Sequence, residues 1–131
     1  MAGRLVFAQS VDYARHTGGF VYNARLIREL EARGWSVEQL ALPAGFPRPE
    51  PAAIAATAEA LAGLPDRTLV VLDQICFSPL PDLARREGSR LRFVVIVHHP
   101  MAQERGPDDP EAPRAAAMER SALAHATRVI M

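Results

Sequence analysis

The sequence predicts a doubly wound α/β domain, with about five parallel strands and helices on both faces of the sheet. Short runs at residues 68–73 and 92–98 are apolar almost throughout, which is typical of strands buried on both faces. Residues 20–33 instead carry apolar side chains at helical spacing, and residues 52–62 are nearly all strong helix formers. Strand and helix patterns alternate along the chain, which favours parallel strands joined by right-handed crossovers. We therefore expect residues 1–131 to form a single Rossmann-like domain.

Local signals mark the ends of these elements. Gly34 follows the first helix, where a left-handed C-cap residue belongs. Ser78 and Pro79 predict the N-cap and first turn of a short helix that Gly88 ends. The narrow apolar stripe of the second helix is predicted to be Ile54, Ala58 and Leu61. The predicted strands are residues 4–9, 35–42, 68–73, 92–98 and 128–131. The predicted helices are residues 20–33, 52–62, about 78–87 and about 113–126, with a polar loop at 100–109.

Composition excludes several classes of function. The chain has 15 basic and 15 acidic residues, so no excess of positive charge indicates nucleic acid or an anionic membrane as the main partner. All the basic residues are arginines, which excludes lysine chemistry such as a Schiff base. The single cysteine, Cys76, cannot form an internal disulfide and is interpreted as a small buried residue. No leader and no apolar run of about 20 residues is present, so we expect a cytoplasmic protein without a transmembrane segment.

Gly18 and Gly19 lie where the first strand and its loop meet the first helix. The first N–H groups of a helix have no partners inside it and carry partial positive charge, so they can bind a phosphate or another anion. The same glycines can also serve only to let the chain turn tightly into the helix. Neither a dinucleotide fingerprint nor a P-loop is present, and both interpretations stay open on the residues alone.

His98 and His99 end the strand with the strongest pattern, at the sheet edge where such folds bind ligands. Consecutive strand residues face opposite ways, so one histidine can donate to a substrate while the other packs. No cysteine or carboxylate lies at a zinc-ligand spacing from them, and we expect no metal.

Further candidates lie at the same edge. Asp73 ends its strand and can either bind a substrate hydroxyl or cap the helix near Ser78. Glu104, in the loop after the histidines, is a second candidate for substrate contact, although it can equally be a solvated charge. Tyr22 and Asn23, in the first helix, are predicted to face this edge or a neighbouring helix.

Three segments in order resemble the N-terminal domain of family 4 glycosyltransferases, which are retaining enzymes of the two-domain GT-B class. The first is a glycine pair opening a helix that leads to an Arg-Gly-x-x-Val strand, with Trp35 where histidine is common. The second is a strand that ends in histidine, and the third is a run that begins at Glu119 in the last helix and continues into an apolar strand. These segments are residues 17–37, 95–100 and 119–130.

The resemblance implies an acceptor-binding domain that works with a nucleotide-sugar donor, an unknown acceptor and no cofactor or metal. It implies that Gly18 and Gly19 contact the diphosphate of the donor and that the catalytic candidate His98 contacts the transferred sugar. Asp73, His99 and Glu104 are candidate substrate contacts. The C-terminal donor domain of the class, with its basic clamp and paired glutamates, has no counterpart in the sequence, so we expect the chain alone to be catalytically incomplete.

Two other functions are compatible with the pattern. The first is a stand-alone, non-catalytic α/β module that binds a small anion or sugar. The second is a flavodoxin-like or receiver-type signalling domain. Two observations argue against it: no acidic cluster follows the first strand, and no lysine ends a late strand.

Overall fold

The computed structural model describes residues 3–11, 18–106 and 108–131. Its strands form a single parallel sheet, and their bounds are β1 Arg4–Ser10, β2 Ser36–Leu42, β3 Leu69–Asp73, β4 Arg92–Ile96 and β5 Arg128–Ile130. The strand order across the sheet is β2-β1-β3-β4-β5. The predicted doubly wound α/β fold is confirmed.

Six helices connect these strands in the described part of the chain. Their bounds are α1 Gly18–Ala32, α2 Pro51–Ala62, α3 Gln74–Phe77, α4 Pro81–Glu87, α5 Met101–Arg105 and α6 Ala112–Leu123. The predicted left-handed C-cap of α1 is confirmed, since Gly34 has a φ of 91°. Within the same described segments, no helix has both the length and the apolar character needed to cross a bilayer.

The alternation of side chains along the strands divides the core between the two faces of the sheet. On one face Phe7 and Val71 pack with Ile27 of α1. On the other face Leu72 packs in one cluster with Leu61 of α2, Leu83 of α4 and Ala122 of α6. Neighbours such as Val71 and Leu72 therefore serve opposite cores, which explains why the strands are apolar without alternation.

The path of the chain places a crevice between β1 and β3. From β1 the chain passes through α1 to β2 on one side, whereas from β3 it passes through α4 to β4 on the other side and face. Neighbouring strands whose connections leave in opposite directions form a topological switch point, and ligands of such sheets bind beside the carboxyl ends of those strands.

The apolar stripe predicted for α2 is confirmed at Leu61, which is buried, and in part at Ala58, which packs against the core, but it is wrong at Ile54. The buried residues are Ala53, Thr57 and Leu61, while Ile54 is 37% exposed. The hydroxyl of Thr57 donates to the carbonyl of Ala53 at 2.8 Å, so a polar side chain lies on the buried face at little cost.

Two further predictions of local structure are wrong. Ser78 does not start a helix: α4 begins at Pro81, and the hydroxyl of Ser78 donates instead to a carboxylate of α6. The polar segment at 100–109 is not all loop, because it contains α5. Both segments form a hydrogen bond with Glu119 of α6, which is distant in sequence.

Gly88 is required for packing rather than for its backbone angles. A Cβ at this position would lie 2.6 Å from the carbonyl oxygen of Ala84 and 2.8 Å from that of His125, although its φ of −65° suits any residue. We expect Gly88→Ala to lower the free energy of unfolding by about 1–2 kcal/mol, because backbone atoms must move apart. Urea denaturation measures this. The matched control is Gly63→Ala, at the end of α2, where the nearest atom lies 3.6 Å away; equal losses in the two variants would contradict the packing argument.

Candidate functional site

The candidate site lies at the carboxyl ends of β1 and β3, where the sheet has its switch point. β1 ends at Ser10, β3 ends at Asp73, and α1 begins at Gly18 and Gly19. The helix therefore starts two residues before the predicted Phe20, so the glycine pair belongs to its first turn. The loop at residues 12–17, which joins β1 to α1, lies outside the described residues, so the anion contact expected of this junction stays a prediction.

A buried amide fixes α1 to the two strands. Asn23 is fully buried, and its Nδ2 donates to Oε1 of Gln9 and to Oδ2 of Asp73, both at 3.2 Å. These bonds use both N–H groups of the amide. Asn23 lies about one helical turn after the glycine pair, so this network holds the amino end of α1 beside the ends of β1 and β3.

Asp73 is a structural partner of α1 in this arrangement. Its carboxylate is buried, with 1% exposure, and accepts from Asn23. The prediction that it caps the helix near Ser78 is wrong, because no helix starts there and the side chain makes no capping hydrogen bond to α3. Its contact with a substrate is not tested by this geometry and stays a prediction.

His98 contacts the same helix through an aromatic pair. Its ring meets the ring of Tyr22 edge-on, with centroids 5.3 Å apart and planes at 81°. Nε2 of His98 is buried and has no hydrogen-bond partner among the residues that the structure describes. An imidazole nitrogen can donate or accept a hydrogen bond, so a hydroxyl group is a chemically suitable partner for this atom. The predicted strand runs to His98, whereas β4 ends at Ile96; His98 therefore lies just beyond the strand, where it meets the first helix.

Gln74 holds the backbone of the histidine segment. Its side chain is fully buried; Nε2 donates to the carbonyl oxygen of His99 at 2.8 Å, and Oε1 accepts from the N–H of His98 at 3.1 Å. Both bonds are made to backbone atoms just beyond β4, where the sheet ladder has ended. A single amide therefore continues the pairing between the chain after β3 and the chain after β4.

Glu119 joins three segments near this edge. The carboxylate is 7% exposed; its Oε2 accepts from the hydroxyl of Ser78 at 2.7 Å, and its Oε1 accepts from the N–H of Met101 at 3.1 Å. Through these bonds α6 is fixed to the segment after α3 and to the start of α5. The carboxyl group of Glu119 thus has a structural role.

The other predicted site residues divide into two groups. His99 is exposed, while its backbone carbonyl is bound by Gln74. Glu104 belongs to α5, but its side chain lies outside the described residues, so its predicted substrate contact is untested. Cys76 is buried, with 1% exposure, as predicted. In the described segments no group of three or more His, Cys, Asp or Glu could hold a metal ion.

The sequence reasoning missed the roles of three residues. Gln74 directly follows the strand-ending Asp73, and a polar residue next to an apolar strand end was a usable signal for a contact at the site edge. Asn23 interrupts the inward side of an otherwise amphipathic helix, which also signals a buried polar partner. The bonds of Glu119 join residues 18 and 41 positions apart, and no local pattern predicts these pairings.

Comparison with known proteins adds no relative. No protein-family model matches the chain, and it is similar to no curated protein and no solved structure with which it was compared. The functional argument therefore depends on the residues and geometry described above.

Proposed function

We propose that this chain is the acceptor-binding, N-terminal domain of a retaining glycosyltransferase of the GT-B class, which transfers a sugar from a nucleotide-sugar donor. The observation that carries the proposal is the contact between Tyr22 and His98, 5.3 Å between ring centroids. It brings His98, which lies just beyond β4, to the helix that begins at Gly18 and Gly19. Two of the three segments that resemble this class of enzyme are therefore neighbours at the carboxyl edge of the sheet.

In this proposal the two segments have different tasks. The N–H groups at the start of α1 donate to the diphosphate of the donor, where negative charge develops as the bond to the sugar breaks. Nε2 of His98 forms a hydrogen bond with a hydroxyl of the transferred sugar and so orients it. The network of Asn23, Gln9 and Asp73 keeps α1 in position, which avoids reorganisation of these donors during the reaction.

The proposal also requires groups that this domain does not supply. Donors that bind the diphosphate from the opposite side belong to the second domain of the GT-B class. We therefore place catalysis in the complete gene product and assign acceptor binding and part of the donor site to the chain described here.

The direct test uses protein expressed from the complete gene, with a panel of uridine, guanosine and adenosine diphosphate sugars and measurement of nucleotide release. We expect one donor to be turned over and His98→Ala to lower kcat about tenfold to a hundredfold, since a hydrogen bond to the reacting sugar is lost. His125→Ala is the control. His125 precedes β5, at the opposite edge of the sheet, and we expect it to leave kcat unchanged.

Three results would contradict the proposal or part of it. If no donor of the panel is hydrolysed or transferred, glycosyl transfer is not the activity. If saturable binding of a sugar phosphate occurs without turnover, a stand-alone binding module becomes the better description. If turnover is found but His98→Ala behaves as His125→Ala does, the role given to His98 is wrong.

A further inference from the structure

A groove on the side of the sheet covered by α2 and α6 has a lining of unusual chemistry. Its volume is about 370 Å³, and it lies between the loop after β2, the start of α2, and helices α5 and α6. This volume lies within the range of cavities that bind small molecules. Its lining combines three cations with an apolar floor: Arg48, Arg105 and Arg114, with Ile54, Met101 and Met118.

Positive charge exceeds negative charge in the groove. Three arginines line it against a single acid among the described residues, Glu111. Arg114 lies 4.0 Å from Glu111 and both are exposed, so this ion pair is weak. Asp109 is not part of the lining but lies 3.2 Å from Nη1 of Arg105, so these five groups together leave an excess of one positive charge.

Arg105 is held in place yet keeps an unused donor. Asp109 fixes one end of its guanidinium, while Nε is buried and has no hydrogen-bond partner within the described part of the chain. Asp109 itself is held in the charged form. The N–H of Glu111 donates to its Oδ1 at 2.8 Å and lowers its pKa, and Arg105 and Arg48 lower it further.

From this geometry we infer that the groove binds a phosphate monoester attached to an apolar group, with the phosphate on the arginines and the apolar group against Ile54, Met101 and Met118. The guanidinium forks of arginine match the oxygens of a phosphate, which carries between one and two negative charges at neutral pH. The two methionines offer flexible apolar surface that adapts to a chain or ring. This site is separate from the residues assigned to sugar transfer and does not depend on that activity.

The test measures binding of three probes to the 131-residue chain by calorimetry. Hexyl phosphate carries both features, inorganic phosphate carries the charge alone, and hexyl glucoside carries the apolar chain without charge. We expect hexyl phosphate to bind at least tenfold more tightly than either of the other probes. Inorganic phosphate lacks the apolar contacts, and hexyl glucoside lacks the contacts with the arginines.

Two variants locate the site, and one serves as control. Arg48→Gln combined with Arg114→Gln removes two exposed cations and should raise the Kd of hexyl phosphate at least tenfold. Ile54→Ser should weaken hexyl phosphate and leave inorganic phosphate unchanged. Arg28→Gln, an exposed arginine of α1, should change neither.

Four outcomes would overturn the inference. They are no binding of hexyl phosphate, equal binding of inorganic phosphate, equal binding of hexyl glucoside, and a double arginine variant that binds as the Arg28→Gln control does. Circular dichroism of each variant shows whether it is folded. Ile54→Ser and the paired arginine changes affect exposed side chains, so loss of binding in a folded variant supports the site.

Discussion

Replacing Glu119 with alanine should lower the free energy of unfolding by about 2–6 kcal/mol. The carboxylate is buried and accepts two hydrogen bonds, from the hydroxyl of Ser78 and the N–H of Met101. Without it, two buried donors lose their partner, and each unsatisfied group costs about 1–3 kcal/mol. Urea denaturation followed by circular dichroism measures the loss.

Two further variants separate this cause from loss of charge or of helix content. Glu119→Gln keeps one oxygen for the N–H of Met101 and offers an N–H to the oxygen of Ser78, so we expect less than half the loss. Glu29→Ala removes an exposed carboxylate from α1 and should cost under about 0.5 kcal/mol. If Glu119→Ala costs no more than Glu29→Ala, the bonds assigned to Glu119 do not stabilise the fold.

The sheet could be predicted from the sequence because its signal is local. Residues such as Val70–Leu72 are apolar whichever way they point, since α1 covers one face and α2, α4 and α6 cover the other. Where the predicted helix boundaries are wrong, the residues concerned make contacts that are distant in sequence. Ser78 has the composition of an N-cap, yet its hydroxyl donates to Glu119, 41 residues away.

The site could be predicted only in outline. Ligands bind at the carboxyl edge of a parallel sheet, and the order of the predicted strands is enough to place the start of α1, Asp73 and His98 at that edge. The pairings among them could not be predicted, because they depend on rotamers and on the distance between elements. Asp73 pairs with Asn23 rather than with a helix end, and Gln74 binds the histidine segment.

Replacing Gln74 with methionine should lower the free energy of unfolding by about 2–4 kcal/mol. Methionine has nearly the same shape but cannot accept from the N–H of His98 or donate to the carbonyl of His99, so both backbone groups lose their partner. If the proposed function is correct, kcat of the complete gene product should fall as well, since a displacement of about 1 Å at His98 is enough to lower a rate a hundredfold. A variant that keeps full stability and full kcat would show that Gln74 does not position His98.

Replacing Gln74 with glutamate tests the direction of the two bonds through pH. The new carboxyl keeps the oxygen that accepts from His98, but when ionised it places a second oxygen against the carbonyl of His99, where the native amide donates. Only the protonated carboxyl can donate there, so its pKa in the folded protein should rise above the unfolded value of about 4.3. Because the folded pKa is the higher one, the free energy of unfolding of the variant comes closest to that of the native protein below about pH 4.3. This stability is lost as pH rises through the folded pKa. Methionine has no group that titrates, so the loss of free energy of unfolding in Gln74→Met should be the same at every pH. Urea denaturation from pH 4 to pH 8 should therefore show a constant loss relative to the native protein for Gln74→Met and a loss that grows with pH for Gln74→Glu. A constant difference for both would mean that the amide of Gln74 does not donate to His99.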